Sequence, residues 1–135
     1  MTNSDPVTLS VIMPAYNEAA AIADAVSEVQ RWVLVPLPTA ELIVVNDGSR
    51  DDTGKILERL AASEPRLRVV NQKNAGHGAA LRTGLELARG EYVSCWTATD
   101  RCPWKRFRVF GKPLKDVKAH WGFAGRATIR SFACC

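Results

Sequence analysis

The clearest structural signal in this chain is the stretch Glu41-Leu42-Ile43-Val44-Val45-Asn46-Asp47-Gly48-Ser49. Its apolar centre favours a buried strand from Glu41 to Asn46, because strands of a parallel sheet are covered on both faces. The dipeptide Asp47-Gly48 suits a turn, and we interpret residues 49–52 as a capping box that opens a helix. The stretch therefore predicts a strand, a tight polar turn and a helix in direct succession.

Comparable units lie on both sides of this stretch. Upstream, an apolar run from Leu9 to Met13 is closed by Pro14, and Asn17 is placed to cap a helix from Glu18 to about Val33. Downstream, we predict a helix ending near Ser63, a strand from Leu67 to Asn71, a helix from about Ala79 to Arg89 with Leu81, Leu85 and Ala88 facing inward, and a strand from Glu91. Alternating strands and helices at these spacings predict an α/β fold, a Rossmann-like and mainly parallel sheet of at most four strands with helices on both faces.

Three polar segments follow the first three predicted strands. They are Pro14-Ala15-Tyr16-Asn17-Glu18, Asp47-Gly48-Ser49 and Asn74-Ala75-Gly76-His77-Gly78. Ligands of such sheets bind beyond the carboxyl ends of the strands, so the segments should share one crevice. Taken singly, each is more typical of a turn, a cap or a solvated loop than of a site, and their convergence is what favours function.

Each segment offers a different part of a nucleotide-binding site. The first has an aromatic ring and a carboxylate that could flank a base and hold a ribose hydroxyl. In the second, Asp47 could accept the imide N–H of uracil or the N–H edge of guanine, and Gly48 permits close approach. The third leads into a helix N-terminus at Gly78, where free N–H groups favour a diphosphate.

These motifs, in this order and followed by Ala88-Arg89-Gly90-Glu91-Tyr92-Val93, resemble the opening of family-2 glycosyltransferases, especially the polyprenyl-phosphate sugar transferase-like branch. The resemblance covers about residues 7 to 93. It implies a truncated GT-A fold that binds a nucleotide-diphosphate sugar for transfer to an acceptor, with polyprenyl phosphate as the candidate acceptor. It also implies a nucleotide-binding set of Pro14, Ala15, Tyr16, Glu18, Asp47, Gly48 and Gly78, with Asp47 receiving the base.

The chain departs from the family pattern after Val93. The family places an Asp-x-Asp here that holds Mg²⁺ or Mn²⁺ against the diphosphate, whereas this chain has Ser94-Cys95-Trp96-Thr97-Ala98-Thr99-Asp100. We therefore assign no metal-binding or catalytic residue and expect this chain to be inactive in transfer. A nucleotide-binding module without turnover is the alternative.

The composition also changes at this point. Residues 1–93 hold 9 Lys and Arg against 12 Asp and Glu, whereas residues 94–135 hold 9 against 2. We divide the chain into an N-terminal glycosyltransferase part, 1–93, and a basic Cys- and Trp-rich tail, 94–135, that is disordered or translated out of frame. In the displaced frame, the codons of Cys95-Trp96 give Leu and those of Trp96-Thr97 give Asp, near the expected metal motif. The alternative is a basic arm that binds nucleic acid or an anionic membrane, which we disfavour because the segment shows no sustained period and no known motif, and we do not expect nucleic acid as a partner.

Location is inferred from what the sequence lacks. No apolar stretch approaches the roughly 20 residues that span a bilayer, and the first residues do not form a basic region followed by an apolar one. We expect a cytoplasmic chain without a transmembrane segment.

Overall fold

The structure is a computed structural model that describes residues 6–98 and 108–111. Its strands are β1 (Leu9–Ala15), β2 (Ala40–Asp47), β3 (Leu67–Gln72), β4 (Tyr92–Cys95) and β5 (Arg108–Gly111). Its helices are α1 (Ile22–Val29), continued by a π-helical turn (Gln30–Leu34), α2 (Thr53–Ser63) and α3 (His77–Leu87). The predicted alternation of strands and helices is confirmed.

The five strands form one sheet in the order β3-β2-β1-β4-β5. The pairings among β1, β2, β3 and β4 are parallel, and β5 runs antiparallel to β4. The mainly parallel sheet is therefore confirmed, but the limit of four strands is wrong because β5 adds an antiparallel strand at the edge. The central strand β1 ends beside the end of β2, with Ala15 opposite Asn46, so the loops after both strands begin at the same carboxyl end of the sheet.

Helices cover both faces of the sheet. On one face, α1 and α2 enclose a core to which β1 and β2 contribute Val11, Met13, Leu42 and Val44. On the other face, α3 covers Ile43 and Val45 through Ala80. Full burial of β2 explains its unbroken apolar run, since both of its faces meet a helix.

The composition change after Val93 does not mark the end of packing. Strand β4 continues through Cys95, Trp96 is 2% exposed, and Ala98 belongs to the same core cluster. The backbone of β5 also lies within the segment predicted as a tail. The division into 1–93 and 94–135 stays a prediction, since most of the tail lies outside the described residues.

The first helix begins later than predicted. Asn17 does not cap it but has a left-handed backbone with φ of 50°, and its side-chain Oδ1 accepts the N–H of Arg50 at 2.8 Å. The helix starts at Ile22, after a turn in which the Glu18 carbonyl accepts the N–H groups of Ala21 and Ile22. The predicted cap residue instead serves the contact between two loops.

The capping box at the start of the second helix is also wrong in detail. Asp52 precedes the helix without a side-chain cap, and Ser49 bonds to another loop. Asp51 takes the capping role, because its Oδ1 accepts the N–H of Thr53 at 3.0 Å and also contacts the Thr53 hydroxyl. Thr53 is thereby fixed as the first helical residue.

The inner face of α3 differs from the prediction as well. The helix buries Ala80 and Gly84, while Leu85 is 49% exposed. A methyl group added at Gly84 would lie 2.4 Å from Cγ2 of Ile12, so only a residue without a side chain fits there. The prediction holds for Ala88, which packs with Leu87 against the core on this face, but a search for apolar periodicity does not detect the contact at Gly84.

A buried carboxylate, Glu41, lies at the amino end of the parallel strands, opposite the end that carries the polar loops. Glu41 is 1% exposed and accepts the Ser10 hydroxyl at 2.7 Å, the Arg89 N–H at 3.0 Å and the Arg89 guanidinium at 2.8 Å. Burial raises the pKa of Glu41, but these hydrogen bonds and the Arg89 charge outweigh it and hold the pKa below its usual value. This network joins the starts of β1 and β2 to the end of α3.

Candidate nucleotide site

The loops after β1 and β2 are joined by direct hydrogen bonds. The N–H of Asn17 donates to Oγ of Ser49 at 3.0 Å, and the N–H of Glu18 donates to Oγ1 of Thr53 at 3.0 Å. The N–H of Ala19 donates to Asp51 at 3.2 Å. The two loops therefore form one unit, as expected for loops that leave the same edge of a parallel sheet.

Asp47 joins the second loop to the third. Its Oδ1 accepts the side-chain N–H of Gln72 at 2.8 Å and the backbone N–H of Ala75 at 2.9 Å, and its Oδ2 accepts the N–H of Gly76 at 3.0 Å. The close approach depends on Gly48, whose φ is 70° and whose hypothetical Cβ would lie 2.7 Å from the backbone N of Asn74. All three predicted segments thus meet at one rim, with Asp47 at the junction.

The environment of Asp47 favours its ionised form. The residue is 4% exposed, and this burial raises the pKa, but the hydrogen bonds from Gln72, Ala75 and Gly76 outweigh burial and lower it below the usual value. A carboxylate has about four lone-pair positions, and Oδ2 accepts a single hydrogen bond from the described residues. Asp47 is therefore a charged acceptor with capacity left on Oδ2.

The four predicted residues of the first segment differ in how exposed they are. Tyr16 is 43% exposed, and Ala15 is 2% exposed and packed in the core, so Ala15 can offer a ligand only its backbone. Pro14 is half-buried, paired with Val45. Burial and the nearby charge of Asp51 raise the pKa of Glu18. These four predicted positions lie in one strand end and turn, with Tyr16 the most accessible.

The third segment opens α3 toward solvent. Gly76 has a φ of 97°, and its N–H is held by Asp47. Gly78 is exposed, with no atom within 4 Å of the position where a Cβ would lie. The N–H groups of His77 and Gly78 donate to no other described residue, so the first turn of α3 keeps donors for an anion.

Two residues of this site were missed in the sequence. Gln72 pairs with Asp47 in the register of β2 and β3 and donates to its carboxylate. Thr83 on α3 contacts Oε1 of Gln72 at 2.6 Å. The position of Gln72 at the end of β3 is a signal that could have revealed it, whereas Thr83 depends on how α3 lies against the sheet.

Metal ligands are sparse among the described residues. Among residues 6–98 and 108–111, no group of three His, Cys, Asp or Glu side chains could hold one. At the end of β4, threonines stand where the family carboxylates are expected: Thr97 is half-buried and carries a neutral hydroxyl in place of a carboxylate, and Thr99 lies outside the described residues. Asp100 lies outside the described residues. In the same part of the chain, no helix combines the length and apolar character that a membrane span requires.

Comparison with known proteins agrees with this geometry. A mannosyltransferase from Pyrobaculum calidifontis, solved in complex with GDP-Man and Mn²⁺, has a TM-score of 0.65 and 30% identity over 74% of this chain and 30% of its own. S. aureus TarS in complex with UDP-GlcNAc has a TM-score of 0.61 and 28% identity over 68% of this chain and 26% of its own. The fold is thus of the GT-A class, and the chain is a glycosyltransferase-type domain.

Sequence relatives identify the family. A model of glycosyl transferase family 2 matches residues 10–118, which extends past Val93. A dolichyl-phosphate beta-glucosyltransferase of Trichomonas vaginalis is 35% identical over 117 residues, covering 82% of this chain and 35% of the relative. The chain therefore belongs to glycosyltransferase family 2, as the resemblance of its motifs predicted, and it spans only 35% or less of the length of these three proteins.

Proposed function

We propose that the rim formed by the three loops binds the nucleoside diphosphate part of a nucleotide sugar, with Asp47 facing the base. The observation that carries this proposal is the junction at Asp47, a charged acceptor that is held by three N–H groups and keeps capacity on Oδ2. A carboxylate there suits the N–H edge of uracil or guanine. The Tyr16 ring in the first loop is exposed, and in this proposal it supplies an apolar surface for the base.

The diphosphate belongs at the start of α3 in this proposal. The N–H groups of Ala75 and Gly76 are already used by Asp47, so the donors left are those of His77 and Gly78. The negative charge of Asp47 repels phosphate, which places the base next to Asp47 and the diphosphate farther along the helix start. Glu18, in the first loop, is the candidate partner for a ribose hydroxyl.

Transfer of the sugar needs parts that these residues do not supply. In the family, a divalent ion neutralises the leaving diphosphate. Because the sequence has Thr97 and Thr99 where the family has its metal-binding Asp-x-Asp, we propose that this chain binds the donor without transferring the sugar. In the whole family protein, the sugar passes to an acceptor, and the similarity to a dolichyl-phosphate glucosyltransferase supports polyprenyl phosphate as that acceptor.

Titration calorimetry with UDP and GDP, with and without Mn²⁺, tests this proposal. Binding that does not depend on the metal, without turnover of a UDP-sugar or GDP-sugar, supports it. Metal-dependent turnover would contradict the claim of inactivity, and failure to bind either nucleotide would contradict the site itself. The cytoplasmic location stays a prediction that cell fractionation can test, and the basic arm falls mainly outside the described residues.

A further inference from the structure

Gln72 and Thr83 are joined to Asp47 by two successive side-chain hydrogen bonds. Gln72 is the last residue of β3, and its Nε2 donates to Oδ1 of Asp47 at 2.8 Å. The hydroxyl of Thr83, on α3, lies 2.6 Å from Oε1 of Gln72 and 3.0 Å from the carbonyl oxygen of Ala79. These hydrogen bonds link the body of α3 to the Asp47 carboxylate at the rim.

These two hydrogen bonds fix the orientation of the Gln72 amide. The Thr83 hydroxyl has one proton and two acceptors within reach, and the shorter contact is to Oε1 of Gln72. A flipped amide would place Oε1 against the Asp47 carboxylate, where two acceptors would face each other. The Nε2 group therefore points at Asp47 as long as Thr83 holds the other end.

This orientation has a consequence for the two oxygens of Asp47. Oδ1 is occupied by Gln72 and Ala75, whereas Oδ2 accepts only the N–H of Gly76 among the described residues. Without the Gln72 bond, only the backbone N–H groups of Ala75 and Gly76 would set the χ2 angle of the carboxylate, which is a broad torsion in Asp. We propose that Gln72 and Thr83 are positioning residues that hold Asp47 so that Oδ2 faces the base of a bound nucleoside diphosphate, an inference that rests on the proposed function.

A purely structural role would be to tie α3 to β3. That role depends on packing as well as on the hydroxyl, and Thr83→Val keeps the branched shape while removing the donor. Thr83→Ser keeps the donor and removes a methyl group. Comparing Thr83→Val with Thr83→Ser separates the two roles, because positioning of Asp47 requires the hydroxyl, whereas packing of α3 requires the methyl group.

The experiment measures the affinity of the full 135-residue chain for UDP and, separately, for inorganic pyrophosphate. GDP replaces UDP if the chain prefers it. We expect Thr83→Val to weaken nucleotide binding about fivefold, the effect of one neutral hydrogen bond, while pyrophosphate binding is unchanged. Thr83→Ser should retain nearly the parent affinity for the nucleotide.

A second measurement does not depend on any ligand. Carbon-13 NMR titration of the Asp47 carboxyl should give a higher pKa in Thr83→Val than in the parent, and Thr83→Ser should restore the parent value. The inference is overturned if Asp47→Ala abolishes nucleotide binding but Thr83→Val leaves both the affinity and this pKa unchanged. It is also overturned if Thr83→Val weakens pyrophosphate and nucleotide equally. If the parent binds neither UDP nor GDP, the proposed function fails and this inference fails with it.

Discussion

Alanine substitutions at three glycines test how the second and third loops come together. At Gly48, alanine meets two obstacles, a left-handed φ of 70° and the backbone N of Asn74 at 2.7 Å from the new Cβ. The left-handed conformation costs a residue with a Cβ roughly 1–2 kcal/mol, and overpacking costs about 1–3 kcal/mol. We expect Gly48→Ala to lower the free energy of unfolding by about 2–5 kcal/mol.

The other two glycines separate these contributions. Gly76 has a φ of 97° and a ψ of 166°, a conformation essentially restricted to glycine, but no atom lies within 4 Å of its Cβ position, so Gly76→Ala should cost only the conformational part, roughly 1–3 kcal/mol. Gly78 has neither a positive φ nor a close neighbour, and Gly78→Ala should be neutral or stabilise by up to about 1 kcal/mol. Urea unfolding followed by circular dichroism measures all three. Equal effects at Gly48 and Gly78 would refute the close approach of the two loops.

Three further predictions concern the rest of the fold and the tail. Glu41→Gln should destabilise the chain by about 2 kcal/mol in urea unfolding, because it removes the charged acceptor of the Arg89 hydrogen bonds while the half-exposed Arg89 stays solvated, and an effect below about 0.5 kcal/mol would count against the network. Glu41 and Asp47 both have pKa values below their unfolded values of 4.5 and 3.8. The stability that they contribute is therefore present above the unfolded values and is lost as the pH falls through the lower folded values. The melting temperature should fall between pH 6 and pH 2, and it should fall less in Glu41→Gln. Sequencing the gene tests whether residues after Val93 are translated out of frame. A stop codon soon after the Val93 codon in the displaced frame would contradict the out-of-frame hypothesis.

The strands could be predicted closely because their signals are local. The second strand was expected from Glu41 to Asn46 and extends from Ala40 to Asp47, since its apolar run is bounded by a turn dipeptide. The parallel topology then required the three polar segments to meet at one edge. This step succeeded because it depends only on strand order and direction.

The details that failed depend on contacts between distant parts of the chain. Asn17 looked like a helix cap, but its side chain contacts Arg50 in another loop. Leu85 looked like a core residue, but the helix approaches the sheet through Gly84, which has no side chain to signal the contact. Likewise, the hydrogen bonds that hold Asp47 come from residues more than 20 positions away, and no local pattern specifies them.

The central claim is that Asp47 faces the base of a bound nucleoside diphosphate. Calorimetry on Asp47→Ala tests it, with Asp52→Ala as the matched control because the Asp52 side chain is 73% exposed. Melting curves must first show that both variants are folded. Losing a charged hydrogen bond to the ligand should weaken UDP or GDP binding about 10- to 100-fold in Asp47→Ala and leave Asp52→Ala at the parent affinity. A folded Asp47→Ala chain that binds the nucleotide as tightly as the parent would contradict the claim.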